Sequence, residues 1–199
     1  AVKNFLAVKS FFKKLHNYAS VLKIELSKGK DFVMPDYNVF PDYKTRKEII
    51  NELCDRYKFI KHCFAGKSVC GRGIDVLHIG NTKNRVLYCG GFHGSEYLTI
   101  LALLKFFEEC CEAMESDKTV GGCKIGNFLS IRGLTIVPCV NPDGTEIALH
   151  GSDAAFKYKP LVEKVCTDTY KWQANARGVD INHNFNAGWC RLKQLELKN

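Results

Sequence analysis

The stretch Cys89-Gly90-Gly91-Phe92-His93-Gly94-Ser95-Glu96 sets an imidazole and a carboxylate three residues apart in a glycine-rich run. Held on two rigid supports, such a pair can close on one metal ion, and a nitrogen with an oxygen donor suits zinc. The spacing proposes His93 and Glu96 as metal ligands. A helix-capping loop carrying a surface histidine has the same spacing, so the flanking elements must decide between the two.

Before the loop, residues 85–89 (Arg-Val-Leu-Tyr-Cys) are β-branched and aromatic, which predicts a short buried strand. After it, apolar residues recur at helical spacing from Tyr97 to Met114, with Glu108, Glu109 and Glu112 on the wet side. Glycines carry the chain over the strand end, and Ser95 is the candidate helix cap. His93 is then expected at the carboxyl end of a strand and Glu96 in the first turn of a helix.

The remaining elements alternate. Residues 45–57 predict a helix with Ile49, Ile50, Leu53 and Tyr57 on one face, and residues 59–65 and 73–79 predict two strands. The joint between them contains Gly66-Lys67-Ser68 but has Lys61 and His62 where a phosphate loop needs its upstream glycine, so it reads as a hairpin turn. Residues 134–140 are a continuous apolar run of the kind buried on both faces of a sheet, ending in the turn signal Asn141-Pro142-Asp143-Gly144. Strands alternating with helices predict an α/β domain with a mixed, largely parallel central sheet, and ligands in such sheets gather at the carboxyl ends of strands.

A second chemistry-bearing stretch runs from Trp172 to Trp189 and is polar, glycine-punctuated and rich in amides. Arg177 is its obvious partner for a carboxylate or an oxyanion. An ordinary surface loop, its asparagines satisfying backbone groups, would look similar.

Charge is uneven. Residues 1–72 hold 15 Lys+Arg against 7 Asp+Glu, and residues 73–199 hold 14 of each, so the net +8 belongs to the N-terminal third. There Phe5, Leu6, Val8, Phe11, Phe12, Leu15, Tyr18, Val21 and Leu22 mark an amphipathic helix with lysines on its other face. Scattered among apolar residues, those lysines form a solvated face, and no nucleic-acid partner is expected. The reading divides the chain into a basic helix and linker over 1–42 and the α/β portion over 43–199. No apolar run reaches the roughly 20 residues a membrane span needs. Ten cysteines, many inside predicted strands and helices, act as small apolar residues and point to a reducing, cytoplasmic setting. A start at Ala1 without an initiator Met keeps a secreted or cell-wall-associated protein as the alternative.

Taken in order, the His93 loop, Val140-Asn141-Pro142-Asp143-Gly144 and the run Asn175-Ala176-Arg177-Gly178-Val179-Asp180-Ile181-Asn182-His183-Asn184-Phe185 resemble the zinc carboxypeptidase family, in particular its bacterial branch that trims peptidoglycan stem peptides. The resemblance runs from about Thr45 to the last residue. It implies a Zn2+ cofactor at the carboxyl ends of the strands, with water activated on the metal hydrolysing a peptide or stem-peptide bond. His93 and Glu96 match the family's first two zinc ligands, and Asn182 and His183 match the pair that holds the substrate's terminal carboxylate. Arg177 matches the arginine that polarises the scissile carbonyl. At position 183 the family usually has Arg, a bidentate fork; a neutral imidazole offers a single donor, which weakens the preference for a free C-terminus. The family's third ligand, general-base Glu and substrate-contacting Tyr come later in its domain, while after His183 this chain has no His or Tyr and only Glu196. The expectation is an incomplete, inactive piece of a metallocarboxypeptidase, or else a relative that binds peptide or cell-wall fragments without cutting them.

Overall fold

The computed structural model describes residues 35–197; the amphipathic helix expected over 5–22 lies outside them. The chain enters through α1 (Tyr43–Arg56), whose first turn is capped by Asp42 accepting the Thr45 N–H at 2.8 Å. An antiparallel hairpin follows, β1 (Lys61–Lys67) and β2 (Gly73–Ile79). Next come β3 (Arg85–Cys89) and the long helix α2 (Leu98–Glu115). A small ribbon, β4 (Thr119–Val120) with β5 (Cys123–Lys124), leads through α3 (Ile125–Ile131) into β6 (Gly133–Val137). Then α4 (Pro142–His150) and α5 (Lys159–Val165) precede a long irregular stretch and α6 (Trp189–Glu196).

The sheet is mixed, as expected, in the order β1-β2-β6-β3. Its parallel share is smaller than expected: β3 pairs with β6 in parallel, while β1–β2 and β2–β6 are antiparallel. The hairpin accounts for the first of these, since a short turn can join only antiparallel strands. Against one face α1, α2 and α3 pack Ile50, Leu53, Leu104, Phe107 and Leu129 onto Leu77, Ile79, Leu134 and Ile136, all 3% exposed or less. A second cluster, with Ile147, Ala155, Val162 and Trp172, forms around α4 and α5.

Four expectations need correction. The run 85–89 is a strand but not a buried one: it forms a sheet edge, with Leu87 60% and Tyr88 50% exposed. Apolar composition predicts burial only where a neighbour covers the strand. Glu108 is not on the wet side. It is fully buried, and the Lys105 ammonium one turn back sits 2.7 Å from its carboxylate, offsetting the cost of burying the charge. Ser95 does not cap α2, which starts at Leu98 without a side-chain cap; Thr99 Oγ1 instead donates to Glu96 O and accepts the Gly91 N–H. The Asn-Pro-Asp-Gly signal marks the start of α4 rather than a free turn. Asn141 Oδ1 accepts the Gly144 N–H and Pro142 takes the first helical position, where its missing N–H costs nothing.

The hairpin turn holds an anion of its own. Asp143, 1% exposed, accepts from Ser68 Oγ (2.7 Å), the Cys70 N–H (2.9 Å) and Arg72 Nη1 (2.7 Å), which ties α4 to the hairpin. The Gly-Lys-Ser joint thus serves an internal carboxylate.

Candidate metal and substrate site

Beyond their last paired residues, β3 and β6 continue side by side: the Gly90 N–H donates to Val137 O, and the Val140 and Asn141 N–H groups donate to Gly90 O and Gly91 O. His93 therefore stands just past the carboxyl ends of the two parallel strands. Its loop is pressed against two others. A Cβ on Gly94 would run into Gly144 O and Trp172 O, so only glycine allows this approach. The Gly94 and Ser95 N–H groups donate to Gln173 O (3.2 Å) and Trp172 O (2.9 Å). Asn141, 1% exposed, shares its two Nδ2 hydrogens among the carbonyls of Phe92, Gln173 and Ala174 within 3.2 Å. The three stretches singled out in the sequence meet at this one amide.

On that base His93 Nδ1 lies 3.0 Å from Glu96 Oε1, with the His93 side chain 14% exposed and that of Glu96 52%. Glu96 is in the loop before α2, not in its first turn. Among the described residues neither ring nitrogen of His93 has a hydrogen-bond partner, although both are buried. Two lone-pair-bearing groups drawn together without a hydrogen bond between them fit a shared cation, and imidazole with carboxylate is a zinc donor set. No group of three His, Cys, Asp or Glu side chains able to hold a metal forms among the described residues.

The second loop brings a residue that motif spacing did not single out. Asp180 Oδ1 is 3.4 Å from His93 Nε2, and Oδ2 is 2.9 Å from His183 Nδ1. Burial works against the charged form of Asp180. The His183 N–H, the nearby His183 and His93 rings and the Asn182 N–H outweigh it and hold the carboxyl below its ordinary range. Asp180 thus stands beside the Nε2 edge of His93 without a hydrogen bond to it, while Nδ1 faces Glu96. Asp180 is the only carboxylate between Trp172 and Trp189, and that was the signal available in the sequence.

The other expected site residues lie on the open side. The His183 ring centroid is 6.4 Å from that of His93, and Phe185 packs edge-on against Phe92 at 6.0 Å. Asn182 and His183 are exposed, their N–H groups held by Asp180 Oδ1. Arg177 is exposed too; Asn175 Oδ1 accepts its N–H, and its guanidinium makes no ion pair among the described residues. His93, Glu96, Asp180 and His183 are gathered, and Arg177 is not drawn into their contacts.

Residues 46–197 match the sequence profile of the zinc carboxypeptidases. The chain belongs to the zinc carboxypeptidase family. Among its relatives, γ-D-glutamyl-L-diamino acid endopeptidase 1 of Lysinibacillus sphaericus is 31% identical over 151 residues, covering 74% of this chain and 38% of that protein. Carboxypeptidase E of Caenorhabditis elegans is 31% identical over 147 residues, covering 68% and 27%. The fold is shared with solved metallocarboxypeptidases. Thrombin activatable fibrinolysis inhibitor superposes with a TM-score of 0.61 at 19% identity, over 81% of this chain and 38% of that one. Carboxypeptidase A from Helicoverpa armigera gives 0.57 at 21% identity, over 92% and 42%. The chain thus spans well under half the length of these relatives. No helix among the described residues is long and apolar enough to cross a membrane.

Proposed function

We propose that this chain carries the first half of the zinc centre of a metallocarboxypeptidase acting on peptides. The observation behind this reading is the His93–Glu96 pair, 3.0 Å apart at the carboxyl ends of β3 and β6, with both buried imidazole nitrogens lacking a hydrogen-bond partner. His93 and Glu96 would hold the metal. Zinc, when bound, supplies a Lewis acid for the scissile carbonyl and lowers the pKa of a water.

The remaining roles belong to this chain's own side chains. Asp180, 3.4 Å from Nε2, would steady the His93 ring from the edge opposite Glu96 once the ring donates to it. Arg177, on the open rim, neutralises the charge that develops on the carbonyl oxygen, and its exposure leaves it free to swing toward a substrate. Asn182 and His183 receive the substrate's terminal carboxylate, through the Asn182 amide above all. The Lysinibacillus relative is named for γ-D-glutamyl–diamino acid bonds, and a peptidoglycan stem peptide is the corresponding candidate substrate. With two ligands contributed by these residues, zinc binding is expected to be weak and turnover negligible.

A second reading, a relative that binds peptide or cell-wall fragments without cleaving them, draws support from His183 in the place of a bidentate Arg. Zinc content and affinity of the chain, compared with those of a His93→Ala/Glu96→Ala double variant, test the metal site. Zinc held by the parent and lost from the variant supports the peptidase reading; equal binding by the two removes its basis.

A further inference from the structure

A cavity of about 210 Å3 lies where the β1–β2 turn meets the helical stretch Ser152–Tyr158, and it shares no lining residue with the His93 site. Val69 and Cys70 form one wall, and Phe156, Lys157 and Tyr158 the other. One ion pair pins both walls. Arg72 Nη1 donates to Asp143 Oδ1 (2.7 Å) and Nη2 to Ala154 O (2.9 Å), while Asp143 Oδ2 accepts the Cys70 N–H (2.9 Å). Cys70 Sγ also donates to Ala155 O at 3.5 Å, tying the walls directly. These contacts belong to the fold itself, so little ordering is left to oppose the arrival of a ligand.

Phe156 is the unusual member. It is held at φ +53, ψ −120, a backbone conformation that a residue with a Cβ rarely adopts. Its ring does not sink into the core: it is 60% exposed, with the Arg72 guanidinium 4.8 Å from its centroid. Val69, Cys70 and Tyr158 pack against the second core cluster and give the hollow an apolar base. Volume and charge define what fits. An apolar cavity of ~150 Å3 already holds benzene, so this one has room for a single aromatic ring with a short polar arm. At its edge the Lys157 ammonium lies 5.1 Å from the Tyr158 ring centroid and makes no ion pair among the described residues. The carboxylates of the surrounding elements are already engaged, Asp143 by Arg72 and both Asp153 and Glu163 by Lys159. The local balance favours an anion.

We infer that this cavity binds a one-ring aromatic carboxylate, its ring against Val69, Phe156 and Tyr158 and its carboxylate at the Lys157 ammonium. The ring supplies most of the affinity, because an ion pair at an exposed lysine contributes little. Neither metal nor the peptidase reading is required, since no residue of the His93 site takes part.

The test is a titration of the isotope-labelled full chain with phenylacetate, phenylacetamide, phenethylamine and N-acetyl-L-phenylalanine, followed by amide chemical shifts. Phenylacetate should bind saturably with a Kd of about 1 mM, as a ligand of this size allows, moving the signals of residues 69–72 and 154–158. Phenylacetamide and phenethylamine should bind about fivefold more weakly or worse, the share of an exposed ion pair. Lys157→Met should abolish that preference and leave phenylacetamide binding unchanged. Phe156→Gly, which suits the positive φ and removes only the exposed ring, should weaken every probe about tenfold. Saturable binding of phenylacetate alone marks a free small acid as the source, and equal binding of N-acetyl-L-phenylalanine marks an aromatic chain end; either result upholds the site. The absence of saturable shifts at these residues with any probe overturns the inference, as do equal affinities for acid, amide and amine, and a Phe156→Gly chain that binds like the parent.

Discussion

The loop that carries His93 and the rim that carries Arg177, Asn182 and His183 are built in opposite ways. Long-range contacts clamp the His93 loop: Gly94 against Gly144 and Trp172, and the Asn141 amide across three backbone segments. The rim is held mainly by its own neighbours, with Asn175 Oδ1 accepting the N–H of Arg177 and Val179 and Asp180 Oδ1 accepting those of Asn182 and His183. Metal ligands must keep fixed mutual positions, whereas groups that meet a substrate can move with it. The difference separates a clamped loop from an open rim, the arrangement that suits the proposed roles of His93 and Glu96 toward metal and of Arg177, Asn182 and His183 toward substrate. Three side-chain contacts span the division, Asp180 with His93, Phe92 with Phe185 and the His93 ring with that of His183, among those described.

If this division is real, substitutions on the clamped side should cost stability and those on the rim should not. The largest effect is expected for Asp143→Ala, which leaves the mostly buried Arg72 guanidinium with Ala154 O and no carboxylate, and removes three hydrogen bonds at the hairpin; a loss of ~3 kcal/mol should appear in urea unfolding. Gly94→Ala forces a Cβ against two backbone oxygens and should cost about 3 kcal/mol, with collapse of the loop evident from lost amide protection at Gly94 and Ser95. A Gly94→Ala chain as stable as the parent would mean that the clamp is looser than the geometry indicates.

Asp42→Ala, at the cap of α1 and remote from the site, should cost ~1 kcal/mol and calibrates an ordinary local contact. Burial alone would raise the Asp42 carboxyl, but hydrogen bonds from Thr45 and the nearby His150 lower it below its ordinary value. Its contribution is therefore complete above the unfolded-state carboxylate range and disappears as pH falls through that range toward the lower folded value. Parent and Asp42→Ala stabilities should converge in acid, which unfolding at stepped pH values will check. The smallest effect is expected for Arg177→Ala, within about 0.5 kcal/mol of the parent, because its exposed guanidinium holds nothing in place. A larger loss there would erase the contrast between the two sides.

Local chemistry was enough to locate most elements. The hairpin strands, α1, α2 and the doubly buried β6 follow from periodicity and composition, and the His93 loop falls at a strand's carboxyl end as its neighbours require. Family membership was also legible, because three ordered motifs carry it. What local chemistry could not supply was partnership. An apolar strand reads the same at an edge as in the centre, so the exposure of Leu87 depends on which strand lies next to it. Glu108 looks wet until Lys105 shares its burial, and Asn-Pro-Asp-Gly suits a turn and a helix start equally until Asn141 Oδ1 meets the Gly144 N–H. Asp180 gains importance only when folding brings it to His93, 87 positions away in sequence. The sequence by itself determined the residue types, their periodicities and the spacing that sets His93 three residues before Glu96. Tertiary structure alone decided that one buried amide at Asn141 would join three distant loops, since such contacts depend on distances in space that spacing along a chain does not encode.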